Sequence, residues 1–136
     1  MSFGPEDRIW GYDAAINAGR YPKSTFANTA SFVGQKFNSD DLAALASEKF
    51  VMTDFVSDER GYVAYQTFSV ENKDEKIIHY SEELVAMILS YGKMLAEKQA
   101  DGGLVRDAVI TVPSWFETKD RLLFMDAAEI SGLRVI

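Results

Sequence analysis

The 136-residue sequence contains no cysteine and a single histidine. The first absence excludes disulfides and thiolate metal sites, and the second makes a zinc centre or an imidazole-driven nucleophile a poor reading. No apolar run approaches the roughly 18 residues needed to span a bilayer as a helix. Basic residues are in deficit, 14 against 21 acidic ones, for a formal charge of −7. Such a surface repels phosphate backbones, and no concentrated basic patch offsets it, so nucleic acid is excluded as a partner and a membrane surface is not expected either. The start, Met1 to Asp7, lacks the basic-then-apolar order of a secretory signal. What is present is core material: nine Phe, six Tyr and two Trp, with 47% hydrophobic and 26% charged residues. That is a globular composition, and the length suits one domain.

Along the chain, Arg8–Gly11 reads as a short extended piece and Asp13–Ile16 as a helical turn. Pro22 suits a first helical turn, and Phe26, Thr29, Phe32 and Val33 recur at helical spacing, with Gly34 placed to close that helix in the left-handed conformation. Asp40–Ala46 predicts another helix, its acids at the positive dipole end. Three strands are expected next, at Phe50–Val56, Tyr62–Val70 and Lys76–Tyr80, joined by turns at Ser57–Gly61 and Glu71–Asp74 into an antiparallel meander. Within the second, Tyr62, Ala64, Gln66 and Phe68 share one face and Val63, Tyr65 and Thr67 the other. Ser81 is the expected N-cap of a long helix that carries Leu84, Met87, Ile88, Tyr91 and Leu95 as one buried stripe, stops at Asp101–Gly103 and covers the meander.

The last stretch reads as strand, helix, strand. Ala108–Val112 is apolar enough for burial on both faces, Pro113 ends it, and Thr118–Ser131 forms a helix with Leu123, Ala127 and Ile130 inward. Gly132 closes that helix and Leu133–Ile136 starts a strand parallel to the first, a βαβ unit. A sequence ending on this edge is expected to be cut from something larger, with an edge prone to dimerise. The fold class is therefore mixed α/β.

Isolated chemistry does not emerge. His79 lies on an apolar strand, Ser114 lacks a glycine-flanked elbow, and Gly102–Gly103 lacks the lysine and hydroxyl of a phosphate loop. Asp40–Asp41 and Glu82–Glu83 read as dipole partners of helix starts. No enzyme is expected of this segment by itself.

Several segments, taken together, resemble the nucleotide-binding domain of heat-shock 70 chaperones, an actin-like (ribonuclease-H-like) ATPase fold. They are Arg8-Ile9-Trp10-Gly11…Ala14-Ala15, Tyr21-Pro22-Lys23-Ser24-Thr25, Phe32-Val33-Gly34-Gln35-Lys36-Phe37, and above all Asp107 to Phe116 followed by Arg121 and Asp126 to Leu133. Ser81 to Tyr91 and Leu95-Ala96-Glu97 look most similar to the large endoplasmic-reticulum branch, the 170-kDa glucose-regulated (hypoxia up-regulated) proteins. The resemblance implies that residues 1–105 are subdomain IB-like with a short leading strand, and that 106–136 begin subdomain IA. ATP and magnesium are implied for the parent, but both phosphate loops and the metal carboxylates fall outside this window, so no cofactor is expected here. Pro113 matches the proline that switches with nucleotide state, and Arg121 the arginine that relays it. Ala30 stands at the position of the family's catalytic lysine, and Ser31 at a neighbouring arginine. A methyl group cannot orient water or stabilise phosphoryl charge. The implied parent is a nucleotide exchange factor and holdase that binds a lumenal heat-shock 70 and unfolded clients; the alternatives are an active foldase-type ATPase, in the lumen or the cytoplasm, and an interaction module without a chaperone role.

Overall fold

The computed structural model describes residues 1–4, 6–38, 40–49, 51–69 and 74–136. Phe50, Val70 and the expected turn residues Glu71, Asn72 and Lys73 lie outside them. The chain divides into two compact units, Met1–Ser81 and Glu82–Ile136.

The first unit opens with a small antiparallel ladder that the sequence reading missed in part: β1 (Ser2–Phe3) pairs with β2 (Arg8–Ile9), Ser2 opposite Ile9. Helix α1 (Gly11–Asn17) follows. The helix expected over Pro22–Val33 is replaced by two 3-10 turns, Pro22–Ser24 and Thr29–Phe32. Tertiary bonding explains the difference. Phe26 donates its amide to the Met1 carbonyl at 2.8 Å, and the Thr25 carbonyl accepts from the Thr53 hydroxyl at 2.7 Å, so this backbone is engaged outside any helix. Asn28 then takes a left-handed φ of 54°, which interrupts helical propagation. Gly34 is left-handed, as its position suggested. Helix α2 (Leu42–Glu48) sits two residues later than the expected Asp40 start.

Strands β3 (Asp54–Ser57), β4 (Val63–Phe68) and β5 (Lys76–Tyr80) form the antiparallel meander, in the order β3-β4-β5. Phe55 faces Tyr65, and Tyr65 faces His79. Of the two faces of β4, the one carrying Val63, Tyr65 and Thr67 is the buried one, and Ala64 on the other is buried as well. Against that face stands a cluster of edge-to-face rings: Phe3 and Phe26 at 4.9 Å, Phe26 and Tyr65 at 5.5 Å, Phe55 and Tyr65 at 5.2 Å. Tyr65 carries the one awkward atom of this cluster. Its buried hydroxyl has no hydrogen-bond partner among the described residues, and burial pushes its pKa far above that of a free phenol. Removing an unpaired buried hydroxyl while keeping the ring relieves a desolvation penalty of about 1–3 kcal/mol. Tyr65→Phe is therefore expected to leave stability unchanged or raise it, and a drop of more than about 1 kcal/mol in urea unfolding would show that the hydroxyl has a partner.

In the second unit, α3 (Ser81–Gln99, its first residue belonging to the first unit) ends where Asp101 and Gly102 turn left-handed, as expected. The Ser81 hydroxyl donates to the Val63 carbonyl at 2.7 Å. The apolar stripe is buried only at its beginning: Leu84 is fully shielded together with Val85 and Ala86, whereas Ile88 and Leu95 are exposed. The βαβ unit is present, β6 (Asp107–Ala108) and β7 (Arg134–Val135) being parallel and joined through α4 (Thr118–Ile130). It corrects the expected strand, however. Only two residues pair, and burial alternates from Ala108 to Val112, with Val109 74% exposed. Alternating burial is the pattern of a segment covered on one face, not two. Within α4, Leu123 and Ala127 are buried as expected, but Ile130 is exposed and Phe124 and Ala128 take its place.

Candidate functional site

The residues singled out for nucleotide-state relay, Pro113 and Arg121, lie in the second unit on either side of the start of α4. The residue before the helix, Glu117, is extended and forms a reciprocal cap with Asp120: the Glu117 side chain accepts the Asp120 amide, and Asp120 Oδ2 accepts the Glu117 amide at 3.0 Å. Two acids at a helix start also complement its dipole. This cap fixes where Arg121 leaves the helix. The sequence carried its signal, an acid three residues after Glu117, and it was missed because the first cap position is itself acidic rather than a hydroxyl.

Pro113 is half-buried. Its carbonyl accepts the Phe116 amide at 3.1 Å, closing a tight turn. The Phe116 carbonyl in turn accepts Nε–H of Arg121 at 3.2 Å. One residue thus bonds to both. Phe116 is only 8% exposed, and its ring meets the Phe124 ring edge-on at 5.2 Å. Arg121 also borders an apolar recess of about 230 Å³ formed with Ile110, Val112, Phe124, Met125 and Val135.

The other end of α4 is tied down independently. Gly132 adopts φ 73°, the expected left-handed closing position, and Lys93 Nζ donates to its carbonyl at 3.0 Å. Arg134 grips Asp107 with two bonds of 2.6 and 2.9 Å across the parallel strands, which holds the Asp107 carboxyl below the usual carboxylate range. A wider recess of about 580 Å³ opens beside these groups, its walls carrying Lys93, Glu97, Arg106, Glu129 and Arg134 in mixed signs.

Ala30 belongs to the first unit, exposed in the Thr29–Phe32 turn between the buried Thr29 and Phe32. His79 is structural: its Nε2 lies 2.9 Å from the Thr67 hydroxyl and its ring is edge-on to Phe3 at 5.2 Å.

A family model described as Hsp70 protein matches residues 1–136. The chain belongs to the Hsp70 family. Among curated relatives, it is 32% identical to hypoxia up-regulated protein 1 of Xenopus laevis over 130 residues, covering 96% of this chain and 19% of that protein. It is 30% identical over 136 residues to heat shock 70 kDa protein 17 of Arabidopsis thaliana, covering all of this chain and 15% of the relative. Heat shock protein 88 of Dictyostelium discoideum is also 30% identical, over 138 aligned positions. The chain therefore spans no more than about a fifth of these relatives' length.

Hsp70 proteins are ATPase chaperones that use ATP and magnesium. Among the described residues of this chain, no group of three His, Cys, Asp or Glu could hold a metal ion. Glu117 and Asp120, at the start of α4, are engaged in its cap, and Asp107 is engaged by Arg134. The donors present do not fit a magnesium–nucleotide complex, and no catalytic step is derived through one.

Proposed function

We propose that this Hsp70 segment is a nucleotide-responsive lever of lobe I, in which residues 1–105 form the subdomain IB-like part and 106–136 begin subdomain IA. In this reading Pro113 shifts with the nucleotide state of the whole protein, and Arg121 carries that shift to the helix surface. The observation that carries it is the hydrogen-bonded path from the Pro113 carbonyl through Phe116 to Arg121 Nε.

The whole protein is then a large chaperone of the endoplasmic-reticulum lumen that serves as nucleotide exchange factor and holdase for a lumenal heat-shock 70 and for unfolded clients. Similarity to hypoxia up-regulated proteins supports that branch. Ala30 supports the regulatory role, because its methyl group offers no ammonium for phosphoryl transfer.

Single-turnover ATP hydrolysis by the full-length protein is expected to be well below that of a lysine-bearing relative, and Ala30→Lys is expected to raise it. A native rate equal to the relative's would overturn the exchange-factor reading in favour of an active foldase-type ATPase. For the lever, Arg121→Ala in the full-length protein is expected to remove the ATP-dependence of nucleotide release from a partner heat-shock 70 while leaving ATP affinity unchanged. Retained ATP-dependence would refute it.

A further inference from the structure

The lever needs a joint, and we infer that Phe116 is that joint: a positioning residue whose buried ring holds in place a main chain bonded to both Pro113 and Arg121. The inference rests on the relay reading and adds how motion at one end reaches the other. Pro113 has no amide hydrogen and a fixed φ, so the connection to it from the helix side runs through its carbonyl. That carbonyl is held by the Phe116 amide, 3.1 Å away. The Phe116 carbonyl, one residue's length further on, holds Arg121 Nε–H at 3.2 Å. An amide that follows the Pro113 turn must rotate the backbone that presents the carbonyl, provided residue 116 does not swivel independently.

The ring prevents that swivelling. It is buried and seated edge-on against Phe124, on the same helix as Arg121 and three residues further along. The cap between Glu117 and Asp120 pins the next residue, so the backbone between turn and helix has little freedom left to absorb a displacement. An exposed arginine held by a neutral carbonyl acceptor alone would be a weak and mobile contact. With the carbonyl immobilised, its side chain reports the position of the turn.

The test uses the Nε–H resonance of Arg121 in the nitrogen-15-labelled 136-residue chain. Pro113→Gly, which frees the turn, is expected to shift that resonance toward that of a free arginine and to speed its solvent exchange severalfold. In a Phe116→Leu background, where both main-chain bonds can persist but the ring contact is lost, Pro113→Gly is expected to change it less than half as much. Phe124→Leu loosens the same ring from the opposite side and should uncouple the two ends likewise. Amide protection at Ala127 and Ala128 verifies that α4 remains folded; if Phe116→Leu disturbs it, the Phe124→Leu pair decides. An Arg121 resonance indifferent to Pro113→Gly, or equally responsive in the ring variants, would overturn the inference. No nucleotide enters this measurement, so its failure leaves the chaperone reading intact. Conversely, a full-length protein insensitive to ATP would leave the mechanical coupling standing.

Discussion

Phe26→Ala is expected to destabilise the first unit by about 3–5 kcal/mol, the range for truncating a buried aromatic ring. Phe26 is 1% exposed and touches three other rings, lying 4.9 Å from Phe3, 5.5 Å from Tyr65 and 6.0 Å from His79. Its removal takes away hydrophobic transfer energy and leaves a cavity bounded by a β-strand that cannot collapse without breaking its ladder with β3 and β5. The backbone bond from the Phe26 amide to the Met1 carbonyl survives in the variant, so the loss reports packing. Phe26→Leu, which keeps most of the volume, should cost less than about 1.5 kcal/mol. Urea unfolding, with hydrogen exchange at the Val63–Thr67 amides as the local probe, measures both. A Phe26→Ala loss below about 1 kcal/mol would mean that the ring cluster is not the core of this unit.

Asp58→Ala should be the next most damaging change, costing about 3 kcal/mol. The carboxylate side chain is 1% exposed and sits inside the β3–β4 turn. It accepts the backbone amides of Arg60 and Tyr62, each at 2.8 Å, and the Arg60 guanidinium through Nε and a terminal nitrogen, each at 2.7 Å. That guanidinium lies 5.5 Å from the Tyr62 ring centroid and 5.2 Å from that of Tyr80, which restricts the arginine and supplies a cation–π term. Because Arg60 is partly solvated, most of the loss comes from the two orphaned amides rather than from the charge pair.

The same carboxylate gives the chain a pH dependence of defined sign. Burial alone would raise its pKa, but the hydrogen bonds from the Tyr62 amide, the Arg60 side chain and the Arg60 amide, together with the Arg60 charge, outweigh burial and hold it below the ordinary carboxylate value. A depressed folded pKa means that the stabilisation is full above the unfolded value of about 3.9 and is lost as the pH falls through the folded one. Asp107, depressed by Arg134, titrates in the same direction, so wild type must be compared with the single variant. The stability gap between wild type and Asp58→Asn is expected to be constant near neutrality and to narrow as acid is added below about pH 4. A gap that does not change with pH would show that the charge contributes nothing.

Part of this protein was legible before any coordinates. Lys76–Tyr80, rich in β-branched and aromatic side chains, is a strand with those bounds, Asp101–Gly102 stops the long helix, and Gly132 closes α4. Pro113 and Arg121 could be singled out from resemblance, but not the bonds between them, since a main-chain carbonyl of Phe116 has no signature in composition or spacing.

Local chemistry, then, determined the elements: turn residues, caps and periodicity act over a few positions, and the sequence states them directly. Tertiary structure alone decided which apparent helix yields to long-range bonds, as at Phe26, and which apolar residues are sheltered. Val109, Ile130 and Leu95 have the side chains of core residues, yet all three are exposed, because burial depends on which surface arrives from elsewhere and not on the residue itself.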